Sequence, residues 1–165
     1  MAGVTGWVVR ARSALDAAAA AYADPKPTCG GVGCAGCCTG PIMAHPDELV
    51  DVLPRVTRAQ RNAARLVAGL HEDYRCPLLD PATRRCTVYD ARPLVCRGMA
   101  VTSPPAHCTP GHPGKVTRHP EALVAWNDAV EGSGLSVGAY HDGVVELARA
   151  LAELPDERLT PTRTP

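Results

Sequence analysis

Cys29-Gly-Gly-Val-Gly-Cys34-Ala-Gly-Cys37-Cys38 places four of the chain's eight cysteines on one glycine-rich loop. The other four follow at Cys76, Cys86, Cys96 and Cys108. Cys34-x-x-Cys37 is a spacing at which a tight turn aims two sulfurs at one centre. Gly30, Gly31, Gly33 and Gly36 permit the backbone angles such a turn needs. They also leave backbone N–H groups free to bond sulfur. Cys38 adjoins Cys37, and neighbouring residues rarely point both side chains at one small ion. One of the two therefore serves a second site, a second iron or no metal. Thiolate sulfur is a good ligand for zinc, copper(I) and iron–sulfur clusters.

Outward from this loop the chain reads as mainly α. Trp7, Ala11, Leu15, Ala18 and Tyr22 recur at helical spacing and predict a helix over 5–23, which Asp24-Pro-Lys-Pro27 ends. Pro46–Leu53 is a short helix with proline at its first position, acids in its first turn and Pro54 as its stop. Thr57-Arg-Ala-Gln60 is a capping box. It opens a helix to about Glu72 with Ala63, Leu66, Val67 and Leu70 inward. Glu121–Val130 is a fourth helix, with Leu123, Trp126 and Val130 on one side. Ser136 caps a fifth, with Val137, Tyr140, Val144, Leu147 and Leu151 on its stripe and Pro155 as its stop.

Between the third and fourth helices, Arg75–Leu79 and Arg85–Tyr89 flank the turn sequence Asp80–Arg84 and predict a short β-hairpin. Ala91–Arg97 reads as one helical turn, and proline-rich Ser103–Pro120 as irregular loop. The expected organisation is one domain over 1–165. A cysteine core spans 28–110, helices at 5–23 and 121–154 flank it, and a loose tail covers 156–165.

The 165 residues are enough to bury a core without crosslinks. Seventeen basic and seventeen acidic residues cancel, and no basic block points to nucleic acid or an anionic membrane. No stretch approaches the roughly 20 apolar residues of a membrane span. Asp16 interrupts the apolar run near the N-terminus, against a signal peptide. The expected location is the cytoplasm, where thiols stay reduced. A disulfide framework is the plain alternative for an even number of cysteines. No P-loop, nucleophile elbow or dinucleotide fingerprint is present.

Cys76 and Cys86 fall within the expected hairpin, Cys96 ends the next turn, and Cys108 lies in the loop beyond. Two Cys₄ sites, one site drawing on both groups, and a four-cysteine cluster plus a disulfide or thiol relay all remain open. Taken in order, Cys34-x-x-Cys37-Cys38, Cys76-Pro-Leu-Leu, Cys86-Thr-Val-Tyr89-Asp-Ala-Arg92-Pro-Leu-Val-Cys96-Arg97 and Cys108 resemble the CxxCxxCC family. This is the YkgJ-type group, described as a zinc- or iron-chelating domain. The resemblance covers Cys29 to Cys108. The interval Cys29-x₄-Cys34 is two residues longer than the family's usual spacing.

What the resemblance implies is metal binding, with all eight cysteines as candidate ligands. An iron–sulfur cluster, with [4Fe–4S] favoured, stands ahead of zinc, and copper(I) is an outsider. Tyr89, Arg92 and Arg97 also match the family pattern. An arginine there offsets thiolate charge, binds an anionic substrate or caps nearby carbonyls, so Arg92 and Arg97 are the candidate cofactor-binding residues. An iron–sulfur-dependent oxidoreductase or transferase with a redox partner protein is one reading. A structural zinc module that presents helices to a protein partner is the other. Among the histidines, His45 is expected to precede the Pro46 helix rather than complete a site. His107, next to Cys108, is the better minor candidate. His112 and His119 are expected in solvent, and His71 and His141 on helices.

Overall fold

The computed structural model describes residues 5–21, 38–70, 72, 74–97, 99–101, 116–118, 120–132 and 134–158. The expectations for Tyr22, the cysteine loop through Cys37, residues 102–115 and the tail beyond 158 lie outside them. So do those for His71 and His119 and for the side chains of Ala18 and Leu123.

Helices dominate. Helix α1 spans Gly6–Ala21, α2 Pro46–Leu49 and α3 Arg58–Val67. Helix α4 is the single turn Leu94–Arg97, α5 covers Pro120–Glu131, α6 Val137–Gly143 and α7 Leu147–Ala152. Strands β1 (Met43–Ala44) and β4 (Val145–Glu146) pair antiparallel. Strands β2 (Met99–Val101) and β3 (Val116–Arg118) form a second antiparallel pair. Short 3-10 turns occupy Leu53–Arg55, Tyr89–Ala91 and Asp156–Arg158.

The expected start signals act as read. Thr57 accepts from Gln60 N–H and the Gln60 side chain returns to Thr57 N–H, closing the capping box. Ser136 accepts from Ala139 N–H. His45 caps α2 through its side chain, with Glu48 completing a capping box.

Four expectations change. The Pro46 helix is shorter, and Pro54 sits inside the following 3-10 turn, where its missing N–H costs nothing. Helix α3 ends at Val67, and its inward face is Arg61 and Ala64, with the expected Val67 packed half-buried against the core. Leu66 is 77% exposed and Leu70 is exposed as well. Arg61 takes the core-facing place because its stem is apolar and its guanidinium reaches Asp156 at 2.6 Å and the Leu154 carbonyl at 3.1 Å. Gly69, at φ +80, turns the chain before Leu70 can join that face. This ion pair also secures Asp156 at the head of the segment expected to be loose.

The fifth helix is broken. Gly143 is followed by Val144 and Val145, and β4 there pairs with β1 before α7 restarts. The stripe itself survives: Tyr140, Leu147 and Leu151 are buried, while Val137 and Val144 pack on the core. Strand β3 falls within the stretch expected to be irregular. Its partner lies across residues 102–115, far beyond a hairpin turn of about two to five residues, so no local turn signal marks the pair.

Two apolar clusters result. The larger gathers Leu49, Val52, Val56, Ala64, Tyr74, Leu78, Val88, Leu147 and Leu151. The second gathers Ala11, Leu15, Leu94, Trp126, Val130 and Tyr140. Helix α4 joins them, with Leu94 in the second cluster and Val95 and Cys96 packed on the first.

Candidate metal centre

The larger cluster carries every described cysteine. Cys76 is 7% exposed within it, and Cys38, Cys86 and Cys96 pack against it half-buried. The backbone N–H of Cys76 donates to the carbonyl of Cys38 at 2.8 Å. Cys38 and Cys76, distant in sequence, are thus joined through their backbones. Cys29, Cys34, Cys37 and Cys108 lie outside the described residues. Among the described residues, no three Cys, His, Asp or Glu side chains already form a metal-sized group.

The expected hairpin exists in minimal form. Asp80 Oδ1 accepts from the N–H groups of Ala82 and Thr83 at 2.8 and 2.9 Å, a side-chain turn typical of aspartate. These bonds hold the Asp80 carboxyl below the usual carboxylate range. Arg84, at φ 54, completes the reversal. One antiparallel bridge pairs Leu79 with Cys86. Cys76 therefore does not face Cys86 directly. It reaches the core one turn earlier, its carbonyl accepting from Leu79 N–H.

Burial pushes the Cys86 thiol up, against the opposing pull of the Val88 backbone and the positive charge of Arg92. The Arg92 guanidinium lies 3.9 Å from the centre of the Tyr89 ring. Arg97 is placed differently. It pairs with Asp16 on α1 at 2.7 Å and donates to the carbonyls of Arg92 and Asp90. It thereby fastens α1 to the segment that carries Cys96.

Glu48 is the residue that sequence reasoning missed. It is fully buried. One carboxylate oxygen accepts from His45 N–H at 2.9 Å and from the Tyr140 hydroxyl. The other accepts from Leu94 N–H at 2.6 Å. Three donors offset the cost of burying the group, and burial followed by the nearby Glu48 carboxylate keeps the Tyr140 hydroxyl protonated. One side chain thus ties α2, α6 and the start of the helix that carries Cys96. The sequence signal was faint, because histidine replaces the usual Ser or Thr at the cap. Arg12 reinforces the joint, donating to the carbonyls of Glu48 and Ala91 at 3.1 and 3.2 Å and pairing with Asp51 at 2.6 Å.

His45 precedes the Pro46 helix as expected and, beyond that expectation, caps it. Its Nδ1 accepts from Asp47 N–H at 3.3 Å, and its ring stacks on Tyr140 and meets Trp7 edge-on. His141 lies on α6 beside Trp126.

The donor set suits a soft metal: four thiols from two parts of the chain reach one core, with a guanidinium beside one of them. No curated protein and no solved structure matches the chain significantly. A family model does match, over residues 28–116, more than half of the chain, and its description reads "Putative zinc- or iron-chelating domain". With cysteines from both groups on one core and this match across them, the chain belongs to the CxxCxxCC family.

Proposed function

We propose that this protein chelates iron, as an iron–sulfur cluster, through thiolates drawn from both cysteine groups. The observation that carries the reading is the hydrogen bond from Cys76 N–H to the Cys38 carbonyl, which joins the end of the N-terminal cysteine loop to the C-terminal group. Cys38, Cys76, Cys86 and Cys96 are the described residues that would hold the group. Cys29, Cys34, Cys37 and Cys108 complete the candidate set.

Close thiols in one loop with distant thiols elsewhere match the outline of cluster ligation. When bound, such a cluster supplies one-electron transfer or a Lewis-acidic iron. The chain's own contribution is to release thiol protons as metal binds and to set Arg92 near Cys86, where its charge offsets thiolate charge. The frame of Glu48, Arg12 and Arg97 holds α4 in place. This reading places the protein in a reducing compartment, the cytoplasm.

Single replacements test the reading. Cys38→Ser and Cys86→Ser should each cut metal per chain by more than half, while His112→Ala leaves it unchanged. Retention of full metal by both serine variants would show that the two groups do not share a centre.

A further inference from the structure

Tyr74 is among the largest side chains that the fold buries completely, at 1% exposure. It stands two residues before Cys76. The Ile42 backbone lies near its oxygen, but among the described residues no acceptor meets the hydroxyl proton in bonding geometry. An unpaired buried donor is costly, and buried polar groups are otherwise almost always satisfied. A phenylalanine would fill the same space without that cost.

The surroundings narrow the explanation. Tyr74 and Cys76 sit in the same apolar cluster, and Cys96 packs against it. Each neighbouring oxygen already accepts one backbone N–H. The Ile42 carbonyl accepts from Leu147 N–H at 2.8 Å. Both Glu146 oxygens accept from Gly69 N–H, at 3.0 and 3.1 Å. Cys76 and Cys96 are the neighbours whose acceptor strength rises when metal replaces their protons, because a thiolate accepts a hydrogen bond far better than a thiol.

We propose that the Tyr74 hydroxyl donates to a metal-bound sulfur, Cys76 or Cys96, as a positioning residue for the loaded site. The inference rests on the chelation reading above. Tyr74 orients and stabilises a thiolate without touching the metal, and the metal-free protein holds the donor ready.

The test compares wild type, Tyr74→Phe and Glu146→Gln, each as the reduced full chain titrated anaerobically with cobalt(II). Affinity is read by chelator competition and the ligand field by the sulfur-to-cobalt absorption band. The expected result is about tenfold weaker cobalt binding by Tyr74→Phe, with a shifted band and metal-free stability at least equal to wild type. Glu146→Gln should leave affinity and band unchanged. Unchanged affinity and band in Tyr74→Phe would overturn the proposal while leaving chelation intact. So would metal-free destabilisation of Tyr74→Phe without an affinity change, since the hydroxyl would then be bonded without metal. Failure of wild type to take up either cobalt or, with sulfide, iron would overturn the chelation reading and this inference together.

Discussion

The Cys76 backbone N–H donates to the Cys38 carbonyl at 2.8 Å, so residues 38 positions apart in sequence meet at the same apolar cluster. That bond turns two separate cysteine groups into neighbours. It is a backbone bond, so it survives replacement of either thiol. A serine at half-buried Cys38 therefore probes ligation, while one at buried Cys76 also disturbs the core.

Loss of the metal is expected to lower stability. Metal binding to a site the unfolded chain lacks adds directly to folding free energy. Removing metal with a strong chelator should lower the thermal midpoint by at least several degrees. The helical circular dichroism should persist at room temperature, because Leu49, Val56, Ala64 and Leu151 add apolar burial to the cluster that the metal does not supply. Coincident loss of helix and metal at room temperature would show that the core depends on the ion.

Glu48→Gln is expected to destabilise the protein by about 2–4 kcal/mol, since an amide cannot accept from all three donors and leaves a buried group unpaired. Tyr140→Phe removes one donor and should cost about 1–2 kcal/mol. Urea denaturation measures both. In the double variant the costs should fall short of additive, because the two side chains share one hydrogen bond.

Gly143→Ala tests the break between α6 and α7. A Cβ at this position would lie 3.0 Å from two atoms of the His45 ring. The ring is held by its cap bond and by Tyr140 and Trp7, so it yields little. The expected cost is about 1–3 kcal/mol, despite the better helix propensity of alanine. A stabilised variant would show that the 143–146 segment tolerates helix.

Acid sensitivity has a defined sign. Backbone N–H groups hold Asp80 low, and Arg55, 2.7 Å away, holds Asp90 low. Their contribution is fully present above the unfolded carboxylate value of about 3.9. It disappears as pH falls through the lower folded values. Asp80→Ala should lower stability at neutral pH and flatten the acid limb of a stability–pH curve. Added salt should weaken the exposed Arg55–Asp90 pair and leave the Asp80 turn largely unaffected.

Local chemistry was legible wherever it was short-range. The Thr57–Gln60 box, the Ser136 cap, the Asp80 turn and the stripe from Tyr140 to Leu151 all rest on neighbours within a turn or two. What escaped depends on distant partners. Arg61 turned inward only because Asp156 and the Leu154 carbonyl await it. Val145 left the helix only because β1 offered a strand edge. Glu48 resembled an acid placed for a helix dipole until Leu94 and Tyr140 converged on it. At the candidate site the cysteine spacing was explicit. The silent residue was Tyr74, whose missing partner only three dimensions reveal.

The most direct test of chelation is anaerobic purification, followed by a visible absorption spectrum and metal analysis on one sample. The account predicts a brown protein with broad sulfur-to-iron charge-transfer absorption and about four irons per chain. A colourless protein holding one or two zinc ions would keep the cysteine site and contradict the iron assignment. A colourless protein with neither metal, its thiols all open to titration in the native state, would contradict the central claim itself.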